Sequence, residues 1–226
     1  LGLGKTVTTL TAMQLLKYDY FDVSKALVIA PLRVAESTWT SECTQWEHLK
    51  GFHGSRILGS ADERIKALKK KADFYIINRE NVPWLVELYG RKWPFDMVVI
   101  DESSSFKNPS AKRFKALRKV RPYMKRIVEL TGTPAPNGLL DLWSQMYLLD
   151  KGERLGTSLT AYKRKYFTPG ASNGYVVYEW KLAKDSAEDI YAKISDICVS
   201  MKSEDYLTLP PVIYNQVPVL LTPAQM

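Results

Sequence analysis

"FDMVVIDES", Phe95 to Ser103, is the stretch that decides the fold. Four apolar residues, Met97 to Ile100, run directly into two carboxylates, Asp101 and Glu102. A strand that is apolar at every position, not at alternate ones, is buried on both faces, and such strands belong to parallel sheets. In those sheets ligand sites gather at the carboxyl ends of the strands, which is where the two acids stand. Working outward, the same grammar repeats. "KALVIAP" (Lys25–Pro31), "SRILG" (Ser55–Gly59), "DFYIIN" (Asp73–Asn78) and the start of "KRIVELTGTP" (Lys125–Pro134) read as further strands. Helical spacing fills the gaps between them. Thr6 to Lys17 is a helix in which Leu10, Met13, Leu16 and Tyr20 keep the period, and "VAESTWTSECTQW" is a second. "SADERIKALKKK" starts with a Ser60 cap and Glu63 three residues on. "VPWLVELY" follows, then "NPSAKRFKALRKV" with Pro109 near its start and Ala111, Phe114 and Leu117 facing inward, then "GLLDLWSQMYLL". Strand and helix alternate to about Leu149, which predicts an α/β fold: a parallel sheet with helices on both faces.

After Lys151 the pattern changes. "SLTAYKRKYF" is helical, "GYVVYEWKLA" reads as a β-hairpin arm, and "DSAEDIYAKISDICVSM" is a helix with acids in its first turns, as the helix dipole favours. "PPVIYNQVPVLLTP" is extended. The expected division is therefore a sheet domain over 1–150, a mainly helical insertion with a hairpin over 151–208, and a closing strand over 209–226.

Composition narrows the class. The 226 residues are 46% hydrophobic and 25% charged, as for a globular chain with a sizeable core. The longest apolar runs are too short to span a bilayer, so no membrane is expected. A net charge of +8 favours a polyanionic partner, nucleic acid first. Cys43 and Cys198 lack Cys-x-x-Cys spacing and read as reduced and packed, which suits a cytosolic setting. His48 and His53 have no cysteine neighbours, so no structural metal is expected.

Three short motifs carry chemistry. "GLGKT", Gly2 to Thr6, opens the first helix. Amides at a helix N-terminus, with glycines that let the backbone approach, hold phosphate oxygens. Gly2 and Gly4 would cradle the phosphates, Lys5 would reach the β and γ groups, and Thr6 would ligate Mg²⁺. Alone it is half a motif, and an ordinary helix start is the plain alternative. In the second motif Asp101 would hold the Mg²⁺ and Glu102 would orient or deprotonate water, against the plain alternative of two solvated carboxylates. The third, "ELTGTPAPN", is a strand running into a loop in which Thr131, Gly132 and Thr133 would sense the γ-phosphate; a polar turn is the alternative. Together, in this order and on these elements, the three weigh more than any one.

"GLGKT", "VIAPLRVAESTW", "VVIDES", "KNPSAK", "LTGTPAPN" and a late "LPP…LTPAQ" stand in the order of superfamily-two helicase-like ATPases. Over nearly its whole length the chain resembles the Swi/Snf-type branch. That resemblance implies a RecA-like motor lobe that binds ATP and Mg²⁺, with Lys5, Asp101 and Glu102 catalytic. It implies that Thr131 to Thr133 couple nucleotide state to double-stranded DNA. It places Arg33, in "APLRV", and Asn78, in "IINREN", at the DNA strand; a solvated charge and a turn-forming Asn are the alternatives. It also implies a second RecA-like lobe, a cytoplasmic setting in a bacterial or phage-infected cell (otherwise nuclear), and, for this lobe by itself, very slow hydrolysis. The chain departs from the family where Ser104 replaces the usual His of the acidic box, and where "SMKSEDYLTLPP" lacks the customary arginines. Strand separation, or a non-catalytic DNA- or partner-binding module with a vestigial nucleotide site, are the other readings.

One charge run stands out. Lys107, Lys112, Arg113, Lys115, Arg118, Lys119, Arg121, Lys125 and Arg126 occur with no acid among them. Lys107, Lys112 and Arg113 are candidate phosphate contacts; a solvated amphipathic helix is the weightier alternative. Lys163, Arg164 and Lys165 make a smaller patch.

Overall fold

The computed structural model describes residues 3–172, 177–201, 203–206 and 215. The chain forms two compact units, residues 4–198 and the two chain ends, 1–3 and 199–226. The first holds α1 (Lys5–Tyr18), β1 (Ala26–Ala30), α2 (Trp39–Gln45), β2 (Gly54–Ile57), α3 (Ala61–Lys69), β3 (Phe74–Asn78), α4 (Val82–Tyr89), β4 (Met97–Asp101), α5 (Lys112–Val120), β5 (Arg126–Leu130), α6 (Leu142–Asp150), α7 (Leu159–Tyr166), β6 (Phe167–Pro169), β7 (Trp180–Leu182) and α8 (Ser186–Ile194). The described part of the second includes one short helix, α9 (Ser203–Tyr206).

The five long strands form one parallel sheet in the order β2-β3-β1-β4-β5. Their apolar runs are buried on both faces, and the alternation of side chains sorts them into two cores. Ala26, Val28, Ala30, Phe74, Ile76, Met97 and Val99 pack with Leu10 and Met13 of α1 and Trp39 and Cys43 of α2. Leu27, Ile29, Tyr75, Ile77, Val98 and Ile100 pack on the other face with α3, α4, α5 and α6. The result is the three-layer arrangement that the alternation of elements predicts, and the RecA-like lobe that the resemblance implies. The 151–198 segment joins the second core through Tyr162, Tyr166, Phe167, Ile190 and Ile194.

Local details depart from the sequence reading where tertiary contacts outrank propensity. Tyr20 falls beyond α1 and is 71% exposed, because the chain leaves the helix at Asp19. The helix after β1 opens as a π-helical turn, Val34–Thr38, before α2. Pro109 stands three residues ahead of α5, since the Asn108 side chain accepts from the Ser110 amide (2.9 Å) and makes its own turn first. Cys43 is buried as expected, but Cys198 is exposed, at the end of the segment following α8. The hairpin pairs Trp180–Leu182 with Phe167–Pro169. Residues 173–176 lie outside the described residues, as do Gly2 and, Asn215 apart, the expected closing strand over 209–226.

Candidate nucleotide site at the carboxyl edge of the sheet

Gly4 caps α1 in the left-handed conformation, φ 67°, which a glycine adopts without the Cβ penalty. No side chain caps the helix, and its first turn holds no acid. The Thr8 amide is taken up by the Gly4 carbonyl (3.0 Å). The amides ahead of it are the donors that a helix start leaves over, and with the positive end of the dipole they suit an anion. Lys5 and Thr6 stand in this first turn, half-buried.

Asp101 ends β4, the neighbour of β1 in the middle of the sheet. It is set from two directions. The Trp39 indole N–H donates to Oδ2 (3.1 Å) and the Glu102 amide to Oδ1 (3.1 Å). Trp39 is itself fully buried, so the carboxylate is held by the core of the α1–α2 layer. Burial raises the Asp101 carboxyl above the ordinary aspartate value, and the Trp39 and Glu102 bonds and the nearby Lys5 charge pull it back. A carboxylate partly stripped of water at the end of a strand fits a hard, oxygen-seeking cation such as Mg²⁺. Among the described residues no group of three or more His, Cys, Asp or Glu could hold a metal ion. Mg²⁺ typically takes only one or two carboxylates, with phosphate and water completing the shell.

Glu102 is held at φ 53°, ψ 58°, one of four described non-glycine residues with positive φ. Such a conformation costs on the order of 1–3 kcal/mol and persists where surrounding structure over-determines it. The residues after it supply that structure. Ser103 is buried and donates to Gln145 Oε1 (2.8 Å), and the Ser105 amide donates to the Glu102 carbonyl (3.0 Å).

Register puts the third motif beside the second: Asp101 pairs with Leu130, so the loop after β5 starts next to the acidic pair. Thr131 accepts from the Thr133 amide (3.1 Å), with Thr131 half-buried and Gly132 and Thr133 exposed. Gly4, Lys5, Thr6, Asp101, Glu102 and Thr131 to Thr133 therefore line one edge of the sheet. The DNA candidates divide. Arg33 is exposed beyond β1. Asn78 is buried; its amide donates to Glu80 Oε2 (3.0 Å) and its carbonyl accepts from Asn81 (2.6 Å), so its visible work is to shape the turn after β3.

The basic run is mostly committed to structure. Lys107 pairs with Asp141 (3.3 Å). Arg113 donates to the Ser105 carbonyl (2.8 Å), and Arg118 lies over the Tyr147 ring at 4.5 Å. Arg121 is buried and serves the carbonyls of Leu148, Leu149 and Met124. Lys125 and Arg126 both bind Asp22. Lys112, Lys115 and Lys119 remain exposed on α5. Sequence reasoning gave no role to Trp39, Ser103 or Gln145. The available signal was Asp141, Ser144 and Gln145, a polar stripe at helical spacing in an otherwise apolar segment.

The model of the SNF2-related domain matches residues 1–225. The chain belongs to this family. Its relatives include protein p41 of Acyrthosiphon pisum secondary endosymbiont phage 1, 37% identical over 98% of this chain and 49% of that protein. The human DNA excision repair protein ERCC-6-like is 32% identical over 75% of this chain and 14% of its own length. Among solved structures, the Sulfolobus solfataricus SWI2/SNF2 ATPase core in complex with dsDNA superposes with a TM-score of 0.70 at 27% identity, covering 90% of this chain and 39% of that one. The SNF2-related chain thus spans about half the length of the phage relative and a smaller share of the others. The Swi/Snf resemblance and the RecA-like fold class are both shown by these matches, and a phage relative fits a bacterial or phage origin.

Proposed function

We propose that this chain is the ATP-binding lobe of a DNA-dependent ATPase that, joined to a second RecA-like lobe, moves along double-stranded DNA. The observation that carries the reading is the acidic pair at the end of β4. Asp101 is fixed by Trp39 and lies within reach of the Lys5 charge, and Glu102 is held in a strained conformation beside it. When bound, Mg²⁺ would neutralise charge on the phosphates, and Thr6 and Asp101 would hold it. The chain's own residues do the rest. Lys5 and the uncapped amides of α1 bind phosphate, Glu102 orients water and takes its proton, and residues 131–133 stand where a change in the phosphates would be felt. In phosphate hydrolases of this type a second lobe or partner adds arginines worth roughly 10³-fold or more, so this lobe alone would turn over slowly. DNA as the partner is supported by the net charge of +8 and by the DNA-bound SWI2/SNF2 neighbour. The test is Lys5→Ala in the complete protein that contains this chain. Binding of a fluorescent ATP analogue should weaken and DNA-stimulated hydrolysis fall at least about 10²-fold. Unchanged hydrolysis would sink the reading. A triplex-displacement assay beside unwinding of a tailed duplex separates translocation from strand separation.

A further inference from the structure

The loops after β4 and β5 are the two that the proposed ATPase would have to keep in step. They do not rest on each other alone. Two side chains at the start of α6, Gln145 and the preceding Asp141, reach both, and a third, Ser144, reaches the first. Gln145, 3% exposed, accepts from the Ser103 hydroxyl (2.8 Å) with Oε1 and donates with Nε2 to the Pro134 carbonyl (2.6 Å) and the Asp141 carbonyl (3.1 Å). Its one amide therefore joins the residue following Glu102 to the middle of the Thr-Gly-Thr-Pro loop. Asp141 makes a parallel link: it pairs with Lys107 (3.3 Å), and its Oδ2 accepts from the Asn137 amide (3.1 Å). Ser144, 1% exposed, donates to the Lys107 carbonyl (2.8 Å).

An apolar residue would fill the Gln145 position at no loss of burial. A buried amide whose two ends are both satisfied, by two different loops, instead specifies one relative placement of those loops. The 131–138 loop makes few other connections. Its described internal hydrogen bonds are Thr133 amide to Thr131 and Gly138 amide to Ala135, and Pro134 is exposed. Gln145 is thus a direct hydrogen-bonded link from Ser103, the residue after Glu102, to Pro134.

We propose that Gln145, supported by Asp141 and Ser144, is a positioning residue that ties the acidic loop 101–108 to the loop 131–138, so that the state of Asp101 and Glu102 is transmitted to Thr131–Thr133. The inference rests on the ATPase reading above. It is tested with Gln145→Leu and Ser103→Ala in the complete protein. Three quantities are read: stimulation of ATPase by double-stranded DNA, the KM for ATP, and hydrogen exchange over 131–138 with and without an ATP analogue. The expected result is a 5- to 150-fold loss of DNA stimulation, the range of ordinary coupling between sites, with KM within about twofold of the parent, as for loss of coupling without loss of nucleotide binding. Exchange over 131–138 should no longer respond to nucleotide. The double variant should lose little more than the worse single one, because both break one link. Parent-like stimulation and exchange in Ser103→Ala, the smaller change and the one that carries the test if Gln145→Leu does not fold, would overturn the inference alone. So would a KM that rises in step with the loss. A parent protein that shows no DNA-stimulated ATPase would overturn the motor reading, and this inference with it.

Discussion

Glu102 offers a sharp test of the site because its backbone and its side chain make opposite demands. Its φ of 53° places a glutamate where glycine is at ease. Glu102→Gly removes the left-handed penalty, about 1–2 kcal/mol. It also frees the unfolded chain, which takes back roughly 0.5–1 kcal/mol. From the middle of each range, the net gain is about 0.75 kcal/mol. For a chain of this size each kcal/mol is worth roughly 2–4 °C in Tm, so the melting point should rise by about 1–4 °C. Glu102→Gln is the control. It keeps the Cβ and the strain and removes only the charge, so its Tm should stay within about 1 °C of the parent, as for substitutions away from packed features. Both variants should lose DNA-stimulated hydrolysis by about 10²- to 10⁴-fold, since neither can accept a proton. Thermal melts followed by circular dichroism, at one protein concentration and without nucleotide, make the comparison. If Glu102→Gly melts no higher than Glu102→Gln, the strain is absent and the argument that the fold holds Glu102 against its preference fails.

Three further outcomes follow from the packing. Burial holds the Glu129 carboxyl well above its ordinary 4.5, so the folded state binds a proton that the unfolded state has released. Stability tied to this group is complete below pH 4.5 and is lost as pH rises toward the folded-state value; the advantage of Glu129→Gln over the parent should grow across that window in urea midpoints measured from pH 4 to 8, and a pH-independent difference would refute it. Arg121→Ala leaves the carbonyls of Leu148, Leu149 and Met124 without their charged donor. It should cost about 2–4 kcal/mol, a drop of roughly 5–15 °C in Tm, whereas a drop of under 2 °C would deny it a structural role. Finally, Lys112→Glu, Lys115→Glu and Lys119→Glu together should weaken double-stranded DNA binding and flatten its dependence on salt, because fewer phosphate counterions are released. An unchanged salt slope would return α5 to the reading of a solvated face.

The candidate site was legible where its chemistry is local. The apolar run before Asp101 announced a strand with acids at its carboxyl end, and Gly4, Lys5 and Thr6 announced a helix start. Legibility failed where a residue's partner is distant in sequence. Trp39 and Asp101 are 62 positions apart, and Ser103 and Gln145 are 42. Neither pair can be seen before the sheet order sets β1 beside β4 and lays α6 across the two loops. Charge was the most misleading signal. A run of nine cations suggests one function, yet Lys107, Arg113, Arg118, Arg121, Lys125 and Arg126 are engaged with the protein's own carboxylates, carbonyls and an aromatic ring.

By itself, then, the sequence determined the class of fold, the order of its elements and the three motifs, because hydrophobic period, glycine and proline act over a few residues and survive in any context. Which side chains face each other was decided only by the tertiary structure. The parallel sheet fixes its register through backbone bonds between strands far apart in the chain. That register sets Asp101 beside Leu130, gives Asp101 its partner in Trp39, and leaves to Gln145 the span between two loops that the sequence keeps separate.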